Sequence, residues 1–539
     1  MNLTARDRLK LLGGLAGYAA LQSTGLVSLG DVVGQAVAAT PKNMLRAVLV
    51  PEPPTLNTAF NTAIMVQQIS PKMLEGLIGY DKEFNPTPSL ATAWELADDG
   101  LSITFKLRDG VTWHDGKPFT SADVKFTFEE ILSQHHPRGR ATFANLTEVE
   151  TPDELTAVMK LSTPSNYIMS ALSASESPML PKHIYEGSEP IGNPANTKPI
   201  GTGPFKFSKW EKGQYLLLDK NEDYWQEGRP LLDRLFYRFI PDAGTRAAAF
   251  ETGEIDLGGT DPVSLSDIAR VEELPDLAVT TEGYALCGAM YYFEFNMRDP
   301  QFQDVRVRQA VAHAIDKDFV AQNIWFGFAS PATGPISQKL SRWYNPDVPS
   351  YPFDTAKAEA LLDEAGFPRQ SDGVRFRMTH DPSTYTEQYR RFAEYFRQAM
   401  KVIGIEVEVM NTDAPTFSRR VWGTNEYQTA SYGIFNLPDP TIGVQRMFWS
   451  KNIRPGVPYT NGSGYASAEM DQILEAAQTA VDPAEREALF YQMQVLAMTE
   501  LPIIPLLNID YTTVYNTRVS GITDDLEGVF GSFANVSVT

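Results

Sequence analysis

From Leu101 the residues Leu101-Ser102-Ile103-Thr104-Phe105-Lys106-Leu107-Arg108 alternate between apolar and polar, so one face of a strand is apolar. Asp109-Gly110 turns the chain, Val111-Thr112-Trp113 resumes the strand, and Asp115-Gly116 turns it again. Thr120 then opens a helix, with Asp123 in the place of the capping-box glutamate and Val124, Phe126, Phe128, Ile131 and Leu132 following. Between 150 and 235 short strands alternate with Pro and Gly turns. Gly201-Thr202-Gly203-Pro204-Phe205 reads as a tight turn, and Leu216-Leu217-Leu218 as a buried strand. The second half is more helical. Asp304 to Phe326 places Val307, Val311, Ala314 and Ile315 at helical spacing; Asp354 caps a helix over 355–365 that Gly366-Phe367-Pro368 ends. Glu387 to Ile403 puts Tyr389, Phe392, Phe396 and Ile403 near one face, Gly404 stops it, and Ile405–Val409 alternates as a strand. Asp482-Pro483-Ala484-Glu485 supplies cap, first-turn proline and N3 glutamate in order. Strands precede and follow long helices, which predicts a mixed α/β protein.

The chain has 539 residues, enough for two to four domains, and 46 basic against 67 acidic residues, a net charge of −21. That balance argues against a general nucleic-acid binder and against docking on anionic lipid. The single cysteine, Cys287, excludes an internal disulfide, cysteine-rich zinc sites and iron–sulfur clusters, and reads as a small buried hydrophobe. At the N-terminus Arg6, Arg8 and Lys10 precede a mildly apolar run, and Ala36-Val37-Ala38 fits a cleavage site, so residues 1–39 read as a signal peptide. Thr4 to Lys10 also resembles a twin-arginine signal with Ala5 in the first arginine's place, which leaves both export routes open. No cysteine near the cleavage region offers a lipid attachment point, and no later segment is apolar over the roughly 18 residues a membrane span needs. The expectation is a soluble, exported, periplasmic protein.

Candidate chemistry is sparse. Gly110 to Lys117 has the wrong spacing for a phosphate loop, and Pro118 holds its Ser/Thr place. Gly201-x-Gly203 lacks a third glycine, Gly462-Ser463-Gly464 is no nucleophile elbow, and His135-His136 reads as a solvated helix end. No spacing selects a pair of carboxylates, so neither an enzyme, nor a cofactor, nor a metal site is expected. What the chain has instead are aromatic and amide-rich loops. Tyr432 leads into Phe435-Asn436-Leu437-Pro438-Asp439-Pro440, with Trp422 and Trp449 nearby, and a second loop runs from Pro458 to Tyr465. Each aromatic alone fits core packing; as a set they fit an apolar cleft with a few polar anchors.

Phe105 to Val124, with Trp113-His114-Asp115-Gly116 at its centre, resembles the signature of the peptide/nickel/opine family of extracellular solute-binding proteins, the receptors of ABC importers. Glu52-Pro53-Pro54-Thr55-Leu56-Asn57, Gly201–Phe205, Asp304–Ala310 and Asn461–Tyr465 match in the same order. The resemblance implies a type II periplasmic-binding-protein fold of two lobes with an additional third domain and a cleft that closes on a hinge. Domain I would comprise 40–75, 200–283 and 506–539, domain II 76–199, and domain III 284–505, with crossovers near Gly283 and Pro505. In the peptide receptors an acidic residue shortly before the Asp-Pro-like turn binds the ligand ammonium; here that place holds Asn436. The resemblance therefore implies capture of a short peptide or peptide-like solute, with an opine or glycoside as the alternative, by Glu52, Trp422, Tyr432, Phe435, Asn436 and Asp439. It implies delivery to an inner-membrane ABC permease by a monomer that performs no chemistry.

Overall fold

The computed structural model describes residues 43–524 and 526–539. The expected signal peptide, 1–39, lies outside the described residues.

Three larger sheets organise the chain. The first has seven strands in the order Leu277–Thr280, Thr513–Asn516, Leu257–Gly258, Met44–Val48, Arg234–Arg238, Tyr215–Lys220 and Phe205–Glu211. Met44–Val48 runs parallel to both its neighbours, and the other pairs are antiparallel. The second sheet is a four-stranded antiparallel one, Ala91–Leu96, Ser102–Leu107, Thr156–Leu161 and Leu146–Asp153. Ile103, Phe105 and Leu107 are buried as the alternation predicts, and they join Trp113, Val124 and Phe128 in one core. The third sheet has six strands in the order Ala329–Pro331, Ile503–Ile509, Ala289–Phe295, Thr429–Phe435, Phe376–Pro382 and Ile405–Val409. Ala289–Phe295 and Ile503–Ile509 are buried at every position, because helical layers cover both faces of this sheet. Tyr291, Phe293 and Phe295 face the helix Glu387–Val402, whereas Met290, Tyr292, Tyr432 and Ile434 face Trp422 and the helices Ala468–Thr479 and Pro483–Glu500.

The local signals place most helix ends. Thr120 and Asp123 form the reciprocal capping box; Asp354 and Asp482 accept from the first-turn amides of Lys357 and of Ala484 and Glu485. Two expectations are corrected. The helix expected across Asp304–Phe326 is two, Val305–His313 and Lys317–Asn323, because Asp316 accepts from the amide of Phe319 and caps a second start. His136 is buried rather than solvated: its Nδ1 accepts from the amide of Arg138, and burial lowers the imidazole to about 4.

The chain passes from the first sheet to the third through Gly283. A Cβ on Gly283 would stand 2.7 Å from Gly528 Cα, and both glycines have positive φ, so backbone packs on backbone there. Ile503–Ile509 lies in the third sheet, where Pro505 pairs with Tyr292, and Thr513–Asn516 lies in the first, so the chain returns between these sheets at 510–512.

The Trp113-His114-Asp115-Gly116 motif joins the four-stranded sheet to the Gly201-Thr202-Gly203 turn. His114 Nδ1 accepts from the Gly201 amide at 3.1 Å, so Nε2 carries the proton and donates to the Gly203 carbonyl at 3.0 Å. Burial lowers this imidazole to about 4 and keeps that tautomer. Next to it Glu75 accepts from Thr202, Tyr224 and Trp225, and burial outweighs these donors and raises its carboxyl to about 7.

Candidate ligand-binding site

The strand Thr429–Phe435 ends where three cores meet. Phe435 is half-buried and packs against the hydrophobic clusters of all three sheets, with its ring edge-on to Tyr511 at 6.3 Å. Leu437 and Ile442 belong to the core of the four-stranded sheet, so the loop after this strand spans from one body to another. A void at the same junction is lined by Gln67, Glu176, Leu286, Cys287, Leu437 and Phe530.

The structure separates the six sequence-derived candidates. Phe435 alone among them lies at the triple junction. Asn436 is fully buried: its Oδ1 accepts from the Ser337 amide at 2.6 Å and its Nδ2 donates to the Tyr292 hydroxyl at 3.2 Å. Asp439 is buried and engaged within its own body. Its two oxygens accept from Arg486 Nη1 and Nη2 at 2.7 Å each, and Oδ1 caps the amide of Thr441 at 2.9 Å. Tyr432 points to the opposite face of the sheet from Gly433, where its hydroxyl donates to Glu294 at 2.6 Å. Trp422 packs against Phe417, Tyr432 and Tyr459, with centroids at 5.4, 5.2 and 4.6 Å, and its buried Nε1 has no partner among the described residues. Glu52 accepts from Trp210 Nε1 and the Gly213 amide, both at 2.9 Å, and so fastens a hairpin of the seven-stranded sheet.

Sequence reasoning missed the charged groups of the junction. Arg138 and Glu176 form a two-pronged ion pair on the four-stranded side, and Arg138 Nη1 also donates to Thr62 at 2.9 Å. Burial opposes ionisation of Glu176, but Arg138, with smaller contributions from His136 and Arg446, outweighs it and holds the carboxyl below its usual range. Arg446 faces this pair from the six-stranded side, where burial, and after it the charge of Arg138, lowers the guanidinium to about 10. Asp261, in the loop after Leu257–Gly258, is held by Thr512, the residue after Tyr511; burial raises its carboxyl to about 6 against the donors of Thr512. Tyr459 packs against Trp422 and Tyr432, with ring centroids at 4.6 and 6.2 Å. The local signals for these residues are weak: Asp261-Pro262 and His136-Pro137-Arg138 read only as turns. The arrangement offers aromatic rings, hydroxyls and separated charges; among the described residues no nucleophile–base pair is assembled there.

The model of bacterial extracellular solute-binding proteins, family 5 Middle, matches residues 85–456. The chain belongs to this family. It is a substrate-binding receptor of the type II periplasmic-binding-protein fold, not an enzyme. It is similar to the oligopeptide-binding protein AppA of Bacillus subtilis, 30% identical over 451 residues that cover 80% of this chain and 80% of that one. Among solved structures, the Helicobacter pylori periplasmic binding protein DppA in complex with the peptide STSA superposes with a TM-score of 0.79 at 26% identity, covering 92% of this chain and 98% of that one. The binding protein AgaA of A. tumefaciens R10, in complex with agropinic acid, gives a TM-score of 0.78 at 26% identity, covering 92% of this chain and 99% of that one. No helix among the described residues is long and apolar enough to cross a membrane, and no His/Cys/Asp/Glu group among them could hold a metal ion.

Proposed function

We propose that this receptor captures a short peptide between its lobes as a monomer in the periplasm and delivers it to an inner-membrane ABC permease. The observation that carries this reading is Phe435: one strand end touches the cores of all three sheets and faces Tyr511 across the junction, so a solute held there is contacted from every side. Closure removes water from such a chamber and strengthens each hydrogen bond to the ligand. The relatives named for peptides support the ligand class.

We assign the direct aromatic contact to Phe435 and supporting roles to Glu52, Trp422, Tyr432, Asn436 and Asp439, whose polar atoms or rings are engaged within their own bodies. We divide the chain into domain I from 40–75, 200–283 and 506–539, domain II from 76–199, and domain III from 284–505, a division that the three larger sheets support. The strand Ile503–Ile509 straddles the last of these boundaries.

Native mass spectrometry of gently purified protein, followed by denaturation and identification of what it carried, tests the reading. A ladder of short peptides is the expected result. A single non-peptide species, such as an opine or glycoside, overturns the peptide assignment and leaves the receptor fold in place.

A further inference from the structure

Two charged side chains at the junction have no counter-charge within ion-pair distance among the described residues. Asp261 Oδ1 accepts from the amide and hydroxyl of Thr512 at 2.8 and 3.0 Å, while Oδ2 has no hydrogen-bond or ion-pair partner among the described residues. The backbone that presents it is strained: Thr260 and Asp261 are consecutive non-glycine residues at φ 54° and 59°. That conformation is held from three sides. The Thr260 amide donates to Tyr284 at 2.8 Å, Gln68 donates to the Thr260 hydroxyl at 2.9 Å, and the Asp261 amide donates to the Thr512 carbonyl at 3.1 Å. Strain that the surroundings over-determine in this way collects at ligand clamps.

Arg446 is the second such group. Its Nε donates to the Gly443 carbonyl at 2.9 Å and its Nη2 to the Phe435 carbonyl at 3.1 Å, which leaves Nη1 without a partner among the described residues. The carboxylate that faces it, Glu176, is taken by Arg138. Both residues keep partial exposure, so the unpartnered atom of each can be reached by a group of opposite charge on a ligand, and such a charged hydrogen bond strengthens when closure removes water.

We propose that Asp261 and Arg446 are the two poles of the binding chamber, Asp261 receiving the ligand's ammonium and Arg446 its carboxylate, with Phe435, whose carbonyl Arg446 holds, and Tyr511, next to Asp261's partner Thr512, between them. The assignment rests on the peptide reading above and adds to it that both free ends of the peptide are read. It also moves the anionic anchor out of the Phe435–Pro440 loop, where Asn436 is consumed internally, into a loop of the seven-stranded sheet. Each pole is a charged hydrogen bond whose loss costs about tenfold or more in affinity.

The test uses the full chain, stripped of ligand, and a pool of two- to five-residue peptides from casein hydrolysate. The pool is offered untreated, N-acetylated, or converted to C-terminal methyl esters, and bound mass is read by native mass spectrometry. Wild-type protein is expected to bind the untreated pool at least about tenfold better than either modified pool. Asp261→Asn is expected to lose the preference for free amino groups and keep the preference for free carboxylates; Arg446→Met is expected to do the reverse. Wild-type protein that binds the acetylated pool or the esterified pool as well as the untreated one overturns the corresponding pole while leaving the peptide reading intact, and this arm needs no variant to fold. Variants that keep both preferences overturn the residue assignment. Failure of wild-type protein to bind any of the pools overturns the peptide reading itself, and the poles with it.

Discussion

Replacing Asp439 separates a structural carboxylate from a ligand-binding one. Its side chain is 3% exposed and that of Arg486 is 7% exposed, and the two meet through paired 2.7 Å hydrogen bonds. Arg486 is held further by the Ala477 carbonyl at 2.9 Å and the Thr441 hydroxyl at 2.6 Å, and it lies over the rings of Trp343 and Phe490 at 5.0 and 5.2 Å. Removing one partner leaves a buried, uncompensated guanidinium, which costs about 3–5 kcal/mol. Asp439→Asn keeps an oxygen for the Thr441 amide and loses only the charge pair. Asp439→Ala also loses the helix cap, for about 1 kcal/mol more. The expected order of stability is therefore wild type, then Asn, then Ala. The double replacement Asp439→Leu with Arg486→Met should recover most of the loss, because apolar groups of similar volume substitute for a buried pair at little net cost. Urea unfolding measures the order, with the transition of the six-stranded body fitted separately, since a chain of several bodies need not unfold in two states. Bound casein peptides are counted on the same samples under native conditions. An Asn variant that unfolds at the wild-type urea concentration yet no longer holds peptide would refute the structural role and return Asp439 to the binding site.

Glu75 and Glu294 each have a carboxyl raised from 4.5 to about 7, burial being the leading cause. The folded state thus holds these protons more tightly than the unfolded chain. The stabilisation is full below pH 4.5 and is lost as pH rises through 7, by about 3 kcal/mol per group. Glu75→Gln and Glu294→Gln should each flatten the fall in unfolding free energy between about pH 5 and 8, and an unchanged slope in urea titrations counts against the assignment. Trp422→Ala should destabilise the protein by about 3–5 kcal/mol through the cavity it leaves between Phe417, Tyr432 and Tyr459; normal thermal stability with lost binding would contradict its placement in the core. The Cys287 thiol, which burial pushes up to about 12, should resist a thiol-specific chromophore at about pH 8 until denaturant is added. Prompt labelling of native protein would show that the junction around it is open.

What is legible in the chain is what neighbours in sequence decide. The alternation over Leu101–Leu107 buries the expected face, and the caps at Thr120, Asp354 and Asp482 form because the acceptor and the amide it serves lie within three residues. The same rule explains the break at 314–316 that periodicity hides: Asp316 is as good a cap as Asp304, but the apolar spacing runs on through Ile315 and masks it. His136 escapes the sequence pattern because its burial comes from packing and not from its own helix.

The binding residues are less legible for a different reason. Asp439 and its partner Arg486 are 47 positions apart, and Asn436 is satisfied by Ser337 and Tyr292, at separations of 99 and 144. A loop rich in polar and aromatic residues therefore looks ready to bind when its hydrogen-bonding capacity is already spent within the fold. The informative property is the reverse one, a charge that the fold positions and then leaves unpaired. Asp261 depends for its position on Thr512, 251 residues away, and Arg446 is unpaired only because Arg138 has taken Glu176. Both conditions arise where three bodies meet. Composition counts the charges, but only the folded junction determines which of them are left over for a ligand.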